Sequence, residues 1–144
     1  MRVYLDNCCF NRTYDDQSNI INRVETEAKL LIQYMIKSGA LELVWSEVLD
    51  YENNDNPFDM RREKIAEWEG LASVAVAMTD EILTNAHRYM VLKLKPKDAS
   101  HIVCAVSAHA DYFITVDRKI LNKPIHDIPI INPIDFLRRL QDVD

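Results

Sequence analysis

The stretch Lys97-Asp98-Ala99-Ser100-His101-Ile102, continuing through Cys104 and Ala108 to Phe113-Ile114-Thr115-Val116-Asp117, decides the fold. An acidic residue opens a helix over 97–109, and a strand over 111–116 then runs into a second acidic residue. In an open α/β sheet the C-terminal ends of the strands and the helix starts facing them form the ligand-binding edge. Asp98 and Asp117 therefore belong to one edge. Asp6, at the end of the first strand, and Glu52, on a later helix, add two more carboxylates. Four convergent carboxylates without a competing nucleophile suit hard divalent cations, Mg²⁺ or Mn²⁺. Paired ions about 4 Å apart activate a water and stabilise a leaving oxygen in phosphodiester cleavage.

Outward from that stretch, strands and helices alternate. Arg2 to Leu5 is a short strand, with Val3 and Leu5 on one face. Residues 7 to 17 are a polar loop. Ser18 or Asn19 caps a long helix to about Lys37, stopped by Gly39. Ile20, Ile21, Val24, Ala28, Leu31, Ile32 and Met35 follow helical spacing, while Glu25, Glu27 and Lys29 face outward. Leu41 to Trp45 is the second strand, and Ser46 caps the helix that carries Val48, Leu49 and Glu52. Asn53-Asn54-Asp55-Asn56-Pro57 breaks it, and Pro57 suits the first turn of a helix that ends at Gly70. Ala72 to Met78 is a weak third strand, and Thr79-Asp80-Glu81 caps a helix to about Leu92. A short helix from Arg118, a strand at 128–131 and a helix at 133–142, with Pro133 in its first turn, complete the chain. There is no repeat, low-complexity segment or linker, so 1–144 reads as a single domain. The alternation predicts an α/β fold with a mainly parallel sheet covered on both sides.

Composition agrees. At 144 residues, 48% hydrophobic and 28% charged, the chain is long enough to bury a core without staples. Two glycines leave no glycine-rich phosphate loop, which removes a dinucleotide-binding reading. No apolar run spans a bilayer and no signal peptide is present at Met1, so no membrane partner and a cytoplasmic location are expected. Cys8, Cys9 and Cys104 are not a disulfide framework and read as small buried hydrophobes. A catalytic thiol would need a histidine, for which His101 is the one candidate. The net charge of −6, from 23 acids and 17 bases, excludes a DNA-coating protein. It does not exclude a nuclease, because bound Mg²⁺ supplies positive potential locally.

Each acid alone has a plainer role. Asp6 would anchor a loop, Asp98 would favour a helix start, Asp117 would cap the Arg118 helix, and Glu52 would face solvent. A receiver-type phosphoacceptor would want an acidic pair after the first strand, where Asn7 follows Asp6. A haloacid-dehalogenase-like phosphatase would want an aspartate at position 8, which is Cys8. The ordered set of Asp6, Ser46 with Glu52 six residues later, Asp98-Ala99-Ser100-His101-Ile102 and Thr115-Val116-Asp117 resembles the PIN-domain nucleases, the family that includes the VapC-type toxins. The motifs run in family order from residue 2 to residue 117.

That resemblance implies a three-layer α/β/α fold with a five-stranded parallel sheet of order 3-2-1-4-5. It implies a metal-dependent endoribonuclease, with Asp6, Glu52, Asp98 and Asp117 as Mg²⁺ or Mn²⁺ ligands and a metal-activated water as nucleophile. Thr115 would support the acidic cluster by hydrogen bonding. An inactive RNA- or protein-binding module of the same fold is the alternative. RNA is the implied substrate, a homodimer the implied assembly, and an antitoxin protein the implied partner of a toxin. Lys93, Lys95 and Lys97, the most basic local run, with Arg61 and Arg62, would line a groove for RNA. Glu47, nearer the strand end, rivals Glu52, and Asp15 or Asp16 in the polar loop are further candidates for the metal.

Overall fold

The computed structural model describes residues 1–11 and 17–142. Five parallel strands lie in the order β3-β2-β1-β4-β5. They are β1 (Arg2–Leu5), β2 (Glu42–Ser46), β3 (Val74–Val76), β4 (Tyr112–Ile114) and β5 (Ile130–Ile131). The helices are α1 (Cys8–Asn11), α2 (Ile20–Lys37), α3 (Glu47–Asn54), α4 (Asp59–Ala66), α5 (Asp80–Met90), α6 (Pro96–Ser107), α7 (Arg118–Leu121) and α8 (Pro133–Asp142).

The central strands are apolar without alternation because both sheet faces are covered. Val3, Tyr4 and Leu5 are all buried, as are Leu43, Val44, Trp45, Phe113 and Ile114. Tyr4 pairs with Phe113 in register, and their rings stack at 5.3 Å between centroids. Helix α2 packs with α8, and α5 with α6, which also touches α3. Gly39, with a φ of 84°, ends α2 in the left-handed conformation glycine tolerates best.

The registers position the site. Leu5 pairs with Ile114 and Tyr4 with Val44. One step past those pairs, Asp6 stands beside Thr115, and Asp6 N donates to Ile114 O at 2.9 Å. Two steps past Val44, Ser46 reaches the same edge.

Several local expectations shift. Residues 8–11 form a short helix where a loop was expected. The helix expected to run from Pro57 to Gly70 starts at Asp59 and tightens into a 3-10 turn at Glu67–Leu71, which contains Gly70. The last strand keeps only Ile130–Ile131, because Pro129 has no N–H to give and contributes its carbonyl, accepting from Phe113 N at 2.9 Å. On α2 the buried face is Ala28, Ile32 and Ile36, together with Lys29, whereas Ile20, Ile21, Val24 and Leu31 are exposed. The Lys29 stem lies among Leu5, Cys9, Ile114 and Pro133, which is how a long cationic side chain enters a core. Asp15 and Asp16 lie outside the described residues.

Candidate functional site

Asp6, Asn7, Cys8, Asn11, Glu52, Asp98 and Asp117 line one open cleft at the C-terminal edge of the sheet. All four expected acids are in it. Asp6 is buried and tightly held: Oδ1 accepts from Asn7 N at 2.8 Å, and Oδ2 from Thr115 Oγ1 at 2.7 Å. Thr115 Oγ1 in turn accepts from Asp117 N at 3.0 Å, so one buried hydroxyl joins the ends of β1 and β4. Asp117 caps α7, with Oδ1 accepting from Lys119 N at 2.9 Å.

Glu52 reaches the cleft from the second turn of α3. That helix starts where it does because Ser46 Oγ accepts from Leu49 N at 3.3 Å. The same hydroxyl meets Tyr4 OH at 2.6 Å, Tyr4 OH meets His101 Nδ1 at 2.5 Å, and His101 Nε2 meets Glu52 Oε1. Ser46, Tyr4 and His101 are buried. Burial, with the nearby Cys104, pushes the Tyr4 hydroxyl well above its ordinary range, so it keeps its proton. A protonated Tyr4 donates to Nδ1, which leaves the imidazole hydrogen on Nε2 to donate to Glu52. The donors therefore run one way, from Leu49 N through Ser46, Tyr4 and His101 to the carboxylate. Burial alone would raise the Glu52 pKa, but the hydrogen bond from His101, followed by Lys97 and Asn7, holds it below the ordinary carboxylate range.

Asp98 stands in the first turn of α6, after Lys97 and Pro96, where the helix dipole favours an acid. Among the described residues its carboxylate accepts no hydrogen bond. Burial, then the charges of Asp6 and Asp117, push its pKa up. The site thus separates its acids. Asp6 and Glu52 are clamped by donors, while Asp98 is held against like charge.

The donor set fits a hard cation. Oxygens of Asp6 and Glu52 and a nitrogen of His101 all lie within 4.8 Å of one another. Both His101 nitrogens are engaged, by Tyr4 and Glu52, and the ring does not line the cleft; it holds Glu52 and leaves the oxygens to face the cleft. Asn7 Oδ1 is buried and without a hydrogen-bond partner in that wall. A buried carbonyl oxygen with no donor, beside four carboxylates, is the kind of acceptor a cation satisfies.

Other candidates fall elsewhere. Glu47 Oε1 accepts from Met78 N at 3.0 Å, tying α3 to the segment after β3, away from the cleft. Among the described residues His101 makes its hydrogen bonds to Tyr4 and Glu52 and none to a thiol. Cys9 is pushed well above its ordinary pKa by its contact with Cys8 and by burial, and Cys104 is pushed up to about 12 by burial, so neither is an activated nucleophile. Cys8, expected to be buried, is only half-buried and lines the cleft, with Sγ 3.6 Å from Asp6 Oδ2. Arg62 is committed to Asp59 at 2.8 Å and to Asn56 O at 2.9 Å, and Arg61 lies over the Phe58 ring at 4.0 Å. Lys95 precedes α6 and is exposed. Lys93 shares a surface concavity with Arg118, Lys119, Asn122 and Lys123.

No protein-family model and no curated protein matches the sequence. Among solved structures, the fold is similar to a chain of VapBC2 from Rickettsia felis, a complex solved bound to a DNA fragment from their promoter. The TM-score is 0.57 at 8% identity, over 92% of this chain and 98% of that one. The chain has a PIN-like fold. The PIN-like arrangement accounts for the edge on which the acids meet, because strands 1 and 4 must be neighbours for Asp6 and Asp117 to share a cleft. At 8% identity the likeness concerns the fold, and the chemistry rests on the residues of the cleft. Among the described residues no helix is long and apolar enough to cross a membrane.

What the residue pattern did not reveal is the support behind Glu52. In the sequence His101 enters only within its motif and as a thiol's candidate partner, and Tyr4 only as a residue of the first strand. The available signal was a polar atom at each of three core positions, Tyr4, Ser46 and His101, which together need partners.

Proposed function

We propose that this chain is a metal-dependent endoribonuclease that cleaves single-stranded RNA, with Mg²⁺ or Mn²⁺ as the cofactor. The observation that carries the reading is the cleft itself, with four carboxylates and an orphaned Asn7 oxygen on the ligand-binding edge of a PIN-like sheet. Asp6, Glu52, Asp98 and Asp117 would hold the metal. A divalent cation supplies Lewis-acid polarisation of the phosphoryl oxygen and lowers the pKa of water at neutral pH. The protein's own share is positioning. Thr115 and the Asn7 amide fix Asp6, the Ser46–Tyr4–His101 chain fixes Glu52, and the Asp117 cap orients the start of α7. Phosphoryl transfer rewards such prior placement of charge, because little covalent work falls to the protein. A toxin role with an antitoxin partner, and a homodimer, belong to the same proposal through the VapC-type pattern of the motifs.

The test is cleavage of a labelled single-stranded RNA with Mg²⁺ or Mn²⁺ against the same reaction in EDTA. Asp6→Asn and Asp98→Asn are each expected to lower the rate by at least about a hundredfold, a loss of about 2.7 kcal/mol of transition-state stabilisation. Full activity in excess EDTA, or in either variant, overturns the proposal. Metal binding without cleavage would favour a binding module instead.

A further inference from the structure

We propose that Lys93, Arg118, Lys119 and Lys123 form a subsite for the phosphodiester backbone of the nucleic acid strand lying in the acidic cleft. The proposal rests on the endoribonuclease reading and adds the place where the rest of the strand is held.

The four cations line one concavity with Asn122, and no carboxylate, aromatic or apolar side chain shares it. None of the four forms an ion pair among the described residues. In a chain with 23 acids and 17 bases, an acid-free group of four bases is a local reversal of sign. Two of them, Arg118 and Lys119, are the first residues after the Asp117 cap, so α7 joins the concavity directly to the cleft. Lys93 comes from the far side, from the turn between α5 and α6, with a φ of 66°. That left-handed conformation is unfavourable for a side-chain-bearing residue by about 1 kcal/mol, and here it belongs to the turn that brings Lys93 beside α7.

The chemistry of the lining selects the partner. A protein-binding patch has an apolar core with aromatic residues and a polar rim, and this concavity has no apolar element. A phosphate backbone needs cations and hydrogen-bond donors alone, and such contacts position a strand without reading its sequence. The neighbouring cleft repels a strand until cations fill it. A basic subsite one short helix away keeps the strand in place while its target phosphate meets the acids. Of the expected groove partners, Arg62 is already committed to Asp59 and Asn56.

The experiment reads binding apart from cleavage. Anisotropy of a short fluorescent oligouridylate is measured in EDTA over a range of salt for wild type, Lys119→Gln/Lys123→Gln, Lys93→Gln/Arg118→Gln, and Arg139→Gln as an exposed control on α8. Thermal melts show that each variant is folded. Each pair is expected to flatten the slope of log affinity against log salt by about 1.4, since each phosphate that a cation neutralises on a single strand adds about 0.7 to that slope. Arg139→Gln is expected to leave the slope unchanged. Unchanged slopes in both pairs overturn the subsite. So does a poly-glutamate probe whose binding the pairs weaken while oligouridylate binding stays intact, which would assign the surface to an acidic protein. If wild type cleaves RNA with Mn²⁺ but the slopes do not move, the subsite fails and the nuclease reading stands. If the slopes flatten but nothing is cleaved, the subsite stands and the nuclease reading fails.

Discussion

Asp98→Asn should stabilise the metal-free protein, although Asp98 stands where an acid ordinarily favours a helix. Among the described residues the carboxylate accepts no hydrogen bond, so an amide of the same shape gives up only charge. Burial, Asp6 and Asp117 push its pKa up, so the folded state disfavours the ionised form. Two unit charges about 5 Å apart repel by about 3 kcal/mol at an effective dielectric near 20. Asp98 is half-buried in an open cleft, where solvent removes most of such an interaction, and about 1 kcal/mol is the net gain expected on removing its charge. The helix-dipole benefit that is lost is about 0.3–1 kcal/mol at an exposed site and subtracts from this. The melting temperature of Asp98→Asn in EDTA should therefore exceed that of wild type, by up to about 3 °C for a domain of this size. Mg²⁺ at about 100 times its dissociation constant should add about 2.7 kcal/mol to wild type and much less to the variant. Differential scanning fluorimetry of both proteins, with EDTA and with Mg²⁺, measures all four quantities. If Asp98→Asn melts lower than wild type in EDTA and both gain equally from Mg²⁺, Asp98 is a helix-start acid and the metal argument built on it is wrong.

Glu52→Gln should weaken Mn²⁺ binding by at least about tenfold in a calorimetric titration. Glu47→Gln should leave Mn²⁺ affinity unchanged and cost about 1 kcal/mol of stability through the bond to Met78 N; the reverse pattern would put the ligand on the wrong turn of α3. Tyr4→Phe removes the hydroxyl between Ser46 and His101 and leaves both buried groups short of a partner, for a loss of about 1–3 kcal/mol in chemical denaturation. An unchanged midpoint would mean that the chain of hydrogen bonds behind Glu52 contributes nothing to the fold. Acidifying the metal-free protein should act in two stages. Asp98, with its raised folded pKa, is relieved first, so the melting temperature rises as it takes a proton. Glu52, with its lowered folded pKa, then costs stability as pH falls from the ordinary carboxylate range toward that lowered value, because the unfolded chain takes up its proton first. A curve that falls from neutral pH without the initial rise, and that Asp98→Asn does not alter, would contradict the first stage.

The local elements were legible in the residues because their causes are local. Gly39 stops α2, Ser46 caps α3, Thr79 caps α5 and Pro133 opens α8, each through a backbone or capping preference that neighbours in sequence supply. The alternation of strands with helices already meant a mainly parallel sheet covered on both sides, and strand-ending Asp6 and Asp117 marked its reactive edge. The details that needed tertiary structure are those in which one residue serves two distant elements. Spacing alone left Glu47 and Glu52 open, because both lie on α3. The choice falls to their partners, Met78 N for one and His101 for the other, supplied by segments far along the chain. Ile20 and Ile21 share helical spacing with Ile32, yet only Ile32 is buried, because tertiary packing, not spacing, decides which part of α2 is covered. In the sequence Arg118 only opens a short helix, and Lys119 and Lys123 follow it with no role of their own. They gain meaning when the α5–α6 turn lays Lys93 against them. Propensity and capping act over a few residues, whereas a hydrogen-bonded chain through Ser46, Tyr4 and His101 exists only after three segments have packed. The sequence therefore determined which acids this protein has and at which strand and helix ends they sit, and the packed core decided which of them face one another and what holds each in place.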